Sequence, residues 1–74
     1  MRIIVVPRET DQNSVISVMD NGVGQGFVTL LGEDEAAIGL VNDASNAKSF
    51  LSITDAHRFV RTNKKAIQEL FSTT

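Results

Sequence analysis

The chain contains no cysteine, so neither a disulfide nor a thiolate metal site holds it together. It has a single histidine, His57, which excludes an imidazole cluster. Its longest strongly apolar opening run, Ile3-Ile4-Val5-Val6, stops at the one proline, Pro7. That run is too short for a secretion-signal core and far too short to span a bilayer, so an intracellular, cytoplasmic protein is expected. Aromatic residues are few, and no repeat, linker or low-complexity segment interrupts the 74 residues. A single domain of this size buries only about 60% of its unfolded surface, and its core supplies about 3–5 kcal/mol net. With staples absent, regular packing and self-association are the stabilising routes left.

What is present is a change of character near Ser52. Residues 1–47 carry Arg2 and Arg8 against seven carboxylates, a balance of −5; residues 48–74 carry five cations against Asp55 and Glu69, a balance of +3. The whole is only −2, which argues against bulk affinity for nucleic acid or an anionic membrane. The front part reads as short strands. A strand is expected at 2–6, where Ile3 to Val6 are β-branched and apolar at successive positions, and Pro7 closes it. Further strands are expected at 15–19, 27–31 and 36–41, with a tight hairpin at Asp20-Asn21-Gly22. Gly39 implies a bulge or a close approach in the last of them. Residues 42–49 read as a polar loop, with a short helical turn within 44–51 as an alternative, and 50–53 as a brief edge strand.

One amphipathic helix follows, from about 53 to 71, with Ser52 as its N-cap and Asp55 at its positive end. Its apolar stripe is Ala56, Phe59, Val60, Ala66, Ile67, Leu70 and Phe71. The fold class is therefore α+β: an antiparallel sheet of about four strands with the helix packed on one face. Strands 2–6 and 27–31 are apolar on both sides, yet one helix covers one face. A second copy of the chain is the expected cover, and a partner protein the alternative.

Five groups of residues invite a chemical role. Gly22, Gly24 and Gly26 offer a loop whose amides can converge on an anion, but Phe27 heads a strand where a dinucleotide fingerprint needs a helix. Glu33, Asp34 and Glu35 are adjacent, which does not match a calcium-loop spacing. His57 has no carboxylate at a helical neighbour position, since Asp55 lies about 200° round the helix. Asn63 falls inside the apolar stripe and needs a partner there, either a strand-edge backbone group or a neighbouring helix. Arg58, Arg61, Lys64 and Lys65, with Lys48 nearby, form a basic row able to meet an acidic protein surface or phosphates. No aromatic interleaves the row, so base stacking is unsupported.

The function these features favour is a small non-enzymatic binding or regulatory protein. It acts as a homo-oligomer, a dimer or higher, and masks a partner protein; an accessory factor or a virus-encoded inhibitor has this size. The alternative is a protein that sequesters an anionic small molecule, such as a nucleotide, between the Gly22–Gly26 loop and basic residues at a subunit interface. No nucleophile–base pair, metal set or cofactor motif supports an enzyme, and no helix-turn-helix or zinc pattern supports sequence-specific DNA binding.

Overall fold

The computed structural model describes residues 2–34 and 37–70. Four strands form one antiparallel sheet in the order of the sequence: β1 (Arg2–Pro7), β2 (Ser14–Asp20), β3 (Val23–Leu31) and β4 (Ala37–Val41). A single 3₁₀ turn, Ala44–Asn46, precedes the helix α1 (Ile53–Glu69). The α+β class and the helix-on-sheet packing expected from the sequence are both present. The expected end of the helix at Phe71 and the expected start of the fourth strand at Ala36 lie outside the described residues.

Each boundary has a local cause. Asn21 and Gly22 both take positive φ, 52° and 80°, the pair of angles that a two-residue primed turn requires. The chain therefore turns at once, and β3 begins at Val23 rather than at Phe27. One extra residue is absorbed soon after: Met19 faces Gly24 and Val18 faces Gly26, which leaves Gln25 as a bulge. Between β1 and β2, Arg8 and Asn13 close the turn through an Arg8 N–H to Asn13 carbonyl bond of 2.7 Å. The Asp11 carboxylate accepts from the Asn13 backbone and from the Arg8 guanidinium inside that turn. At α1 the Ser52 hydroxyl accepts from the Asp55 N–H at 3.1 Å, so the expected N-cap is in place.

The sheet is split at one end. Paired residues of β2 and β3 run from Asp20↔Val23 to Ser17↔Phe27. Below that level Ser14 exchanges backbone hydrogen bonds with Phe50, at 2.8 and 2.9 Å, and the Lys48 N–H donates to the Val28 carbonyl at 3.1 Å. Residues 48–50 thus occupy the gap between the two strands. The edge strand expected at 50–53 is reduced to the single bridge at Phe50, inside the sheet.

Side-chain alternation now sorts the core. Ile16, Val18 and Val28 point to the helix side, where they enclose Ile67; Ile3, Val5, Ile38, Leu40, Phe50, Phe59 and Val60 pack around them. Ala56 is also fully buried. The other face carries no helix, but it is less bare than the sequence implies. The chain's own 3₁₀ turn lies there: the Thr29 hydroxyl donates to the Asn46 carbonyl at 3.2 Å, and Val15, Thr29 and Ala47 are buried. Ile4, Val6, Met19, Phe27 and Val41 are half-buried, and among the large apolar residues placed there Leu31 alone is exposed, at 48%. The expectation that only a second molecule covers this face is corrected accordingly.

Gly39 is neither a bulge nor a backbone crossing. β3 and β4 pair regularly from Phe27↔Val41 to Leu31↔Ala37, and the Leu31 side chain crowds the space that a Gly39 Cβ would fill. At Gly26 φ is 135° and a Cβ would stand 3.0 Å from the Val41 carbonyl oxygen.

Two stability measurements follow from this packing. Ile67→Ala removes a fully buried side chain and should cost about 2–5 kcal/mol in chemical denaturation; a loss under about 1 kcal/mol would place Ile67 off the core and overturn the helix phase. Gly26→Ala meets rigid backbone at a φ that strains any side chain, a loss of about 1–3 kcal/mol. Gly39→Ala needs only the exposed Leu31 to rotate away. Gly26→Ala should therefore melt well below Gly39→Ala, and the reverse order would contradict the strand packing.

Candidate functional site

Helix α1 presents its cations outward because its apolar stripe is fixed against the sheet. With Ala56 and Ile67 turned inward, Arg58, Arg61 and Lys65 fall on the opposite side, and Lys64 lies beside Arg61; all four are exposed. Arg58 reaches the Asp55 carboxylate at 3.5 Å, a surface pair between residues three apart. Among the described residues Arg61, Lys64 and Lys65 meet no carboxylate within ion-pair distance.

Beside this row runs an open groove of about 500 Å³. One wall is the segment Lys48 to Leu51, and the other is the helix at Asp55, Arg58, Phe59, Thr62 and Asn63. Its floor is aromatic: the Phe50 and Phe59 rings lie 5.3 Å apart with planes inclined at 51°. The Lys48 ammonium stands 6.0 Å above the Phe50 ring, at the outer limit of a cation–π contact. Leu51 is 91% exposed at the rim, and Ile53, at the start of the helix, is 57% exposed. The sequence drew attention to Lys48 and Arg58 but not to Phe50 and Leu51. Two adjacent apolar residues in an otherwise polar stretch were the available signal.

The remaining candidates are placed apart. Of the three glycines only Gly22 belongs to the turn; Gly24 and Gly26 are in β3, so no free glycine loop of five residues exists to wrap a phosphate. Glu33 and Asp34 are exposed in the turn after β3, and Glu35 lies outside the described residues. No group of three or more acidic or histidine side chains able to hold a metal ion occurs among the described residues. His57 is exposed on the helix. Asn63 satisfies its amide within its own helix, donating to the Phe59 carbonyl at 3.0 Å. That replaces both expected partners, the strand edge and a second helix.

A smaller cleft of about 280 Å³ lies on the opposite face, between the Arg8–Thr10 turn and Asp43–Ser45, with Val6, Val15 and Phe27 beneath. Two carboxylates are tuned beside it. The Arg8 guanidinium, followed by the Asn13 amide, holds Asp11 below the usual carboxylate range, and the Ser45 amide and hydroxyl do the same for Asp43. Both groups favour the charged form in the folded chain.

Compared with protein-family models, with curated proteins and with solved structures, the chain matches none. No helix among the described residues is long and apolar enough to cross a membrane.

The two lowered carboxylates give a pH dependence of defined sign. Their contribution to stability is complete above the unfolded carboxylate pKa, near 3.9, and disappears as pH falls through the lower folded values. Hydrogen exchange at the Asn13 and Ser45 amides should therefore accelerate on acidification below about pH 4, beyond the intrinsic pH effect on exchange. Asp11→Asn should remove the acceleration at Asn13 while leaving Ser45 unchanged. An Asn13 amide indifferent to both changes would dissociate the turn from the Arg8–Asp11 pair.

Proposed function

We propose that the protein is a non-enzymatic binding protein that works as a homo-oligomer and masks an acidic surface on a partner protein. The single observation that carries the masking of an acidic partner is the outward row on α1. Arg61, Lys64 and Lys65 stand exposed without a carboxylate among the described residues, on a molecule whose net charge is −2. A row of that kind favours partners of opposite sign and accelerates their encounter, while bulk attraction to anionic polymers stays weak. The groove adjoining it adds apolar contact area through Leu51 and Phe50, so the surface combines charge at its edge with apolar groups beside it.

The alternative, a nucleotide held between glycines and cations, draws less support. Gly24 and Gly26 belong to β3, so their amides do not lie in a loop that could fold round an anion.

Capture from host extract with wild-type protein and with the double variant Arg61→Glu, Lys65→Glu tests the proposal. Both side chains are exposed, so the variant should melt within a few degrees of wild type. It should fail to retain the protein that wild type retains, and the wild-type complex should weaken as salt rises through about 0.1 to 0.5 M. Equal capture by both, with no salt effect, would reduce the row to a solvated helix face. A rise in melting temperature with added ATP or GTP, by the linkage of ligand binding to the native state, would instead favour the nucleotide reading.

A further inference from the structure

We infer that the groove between residues 48–51 and α1 holds an extended acidic segment of the partner protein, with one apolar side chain of that segment seated against Phe50. The inference rests on the reading of the α1 cations as a surface for an acidic partner, and it names the part of the partner that enters.

Backbone direction supplies the first observation. Ser14 and Phe50 exchange two hydrogen bonds, so the Phe50 N–H and C=O both point at β2. A trans peptide sets each carbonyl opposite to the next N–H. The Ser49 C=O and the Leu51 N–H therefore point away from Ser14, and among the described residues neither meets a hydrogen-bonding partner. Both residues line the groove. An acceptor followed two residues later by a donor is what a strand offers along an open edge. An extended peptide matches that pattern, whereas a helix has its own backbone groups bonded internally.

The walls supply the second. Lys48 on one side and Arg58 on the other bring a cation to each wall, and Asp55, the one carboxylate on the groove, is already engaged by Arg58. Arg61 and Lys65 continue the positive side of the helix beyond Arg58. A segment with carboxylates on both sides of its central residue therefore meets cations on both walls. The central residue is apolar because the floor is Phe50 and Phe59 and the rim is Leu51, 91% exposed. Length agrees. The helix wall runs from position 55 to 63, about 12 Å of rise. An extended chain covers that with about four residues. A single-stranded nucleic acid fits less well, because the two rings pack against the core and are inclined at 51°, which leaves no flat platform for a base.

Selection from a displayed library of random nonapeptides on the full chain tests the inference. Enriched peptides should place Asp or Glu on both sides of a Leu, Ile, Met or Phe. A synthetic peptide of the enriched sequence, titrated by fluorescence anisotropy, should bind Leu51→Asp and Lys48→Glu each about tenfold or more weakly than wild type. The Leu51 side chain is exposed, so Leu51→Asp should melt with wild type. The same peptide should slow hydrogen exchange at the Leu51 amide by about tenfold, a readout that needs no variant. Absence of enrichment, or a bound peptide that leaves Leu51 exchange unchanged, overturns the extended segment. Acidic peptides that ignore Leu51→Asp and Lys48→Glu but are lost with Arg61→Glu, Lys65→Glu overturn the groove contact alone and leave the acidic-partner reading standing. A consensus without carboxylates, or displacement of the peptide by oligothymidylate at lower concentration than by unlabelled peptide, overturns both.

Discussion

Three backbone hydrogen bonds, two between Ser14 and Phe50 and one from Lys48 to Val28, hold residues 48–50 in the cleft between β2 and β3. A helix joined to a small sheet by a polar connection has many ways to lie on it. Here the connection is itself part of the sheet, so the chain reaches Ser52 at a fixed place and in extended geometry. That is the backbone an N-cap residue needs. The apolar stripe of α1 then falls onto Ile16, Val18 and Val28 without freedom to slide, and the outward direction of the cations follows from it. The groove has the same origin, since one of its walls is the inserted segment and the other is the helix that the segment positions.

The two faces of the sheet are served by very different amounts of chain. On one side seventeen residues of helix supply Ala56, Ile67 and their half-buried neighbours. On the other a three-residue turn suffices to bury Val15 and Thr29, because the Asn46 carbonyl accepts the one hydroxyl that burial would otherwise strand. Acidic and basic groups are separated by the same arrangement. The carboxylates of the turns belong to the strand connections, and the cations of α1 to the layer above. Among the described residues no charged side chain is fully buried, and the cations of α1 stand on its outward side.

Much of this was legible in the chain. The helix phase was readable because its stripe repeats over several turns, and the cap because Ser52 and Asp55 stand at the right interval. The strands were readable from their β-branched residues, with errors at their ends. β3 starts four residues earlier than alternation suggests, since two glycines and an exposed Gln25 hide a strand that bulges. The hydrogen bonds from residues 48–50 to β2 and β3 were not readable at all. They join backbone groups far apart in the sequence, and no side-chain pattern reports such a partner. For that reason the groove went unseen while the row of cations beside it was anticipated. The role of Gly39 was hidden for a related reason, because it depends on where Leu31 of the next strand lays its side chain.

The order of strands in the sheet has a bearing on how the chain reaches this state. Every strand pairs with its neighbour in sequence, so the meander is assembled from hairpins whose closing loops are short. Loop-closure entropy is small at each such step, and a topology of this kind folds quickly for a β-rich protein. The Ser14–Phe50 bridge and the docking of α1 are the long closures, and they depend on a sheet already in place. A chain emerging from the ribosome has its four strands available before the last helical turn is made, so the apolar helix-side face of the sheet waits, open to water, for α1 to cover it.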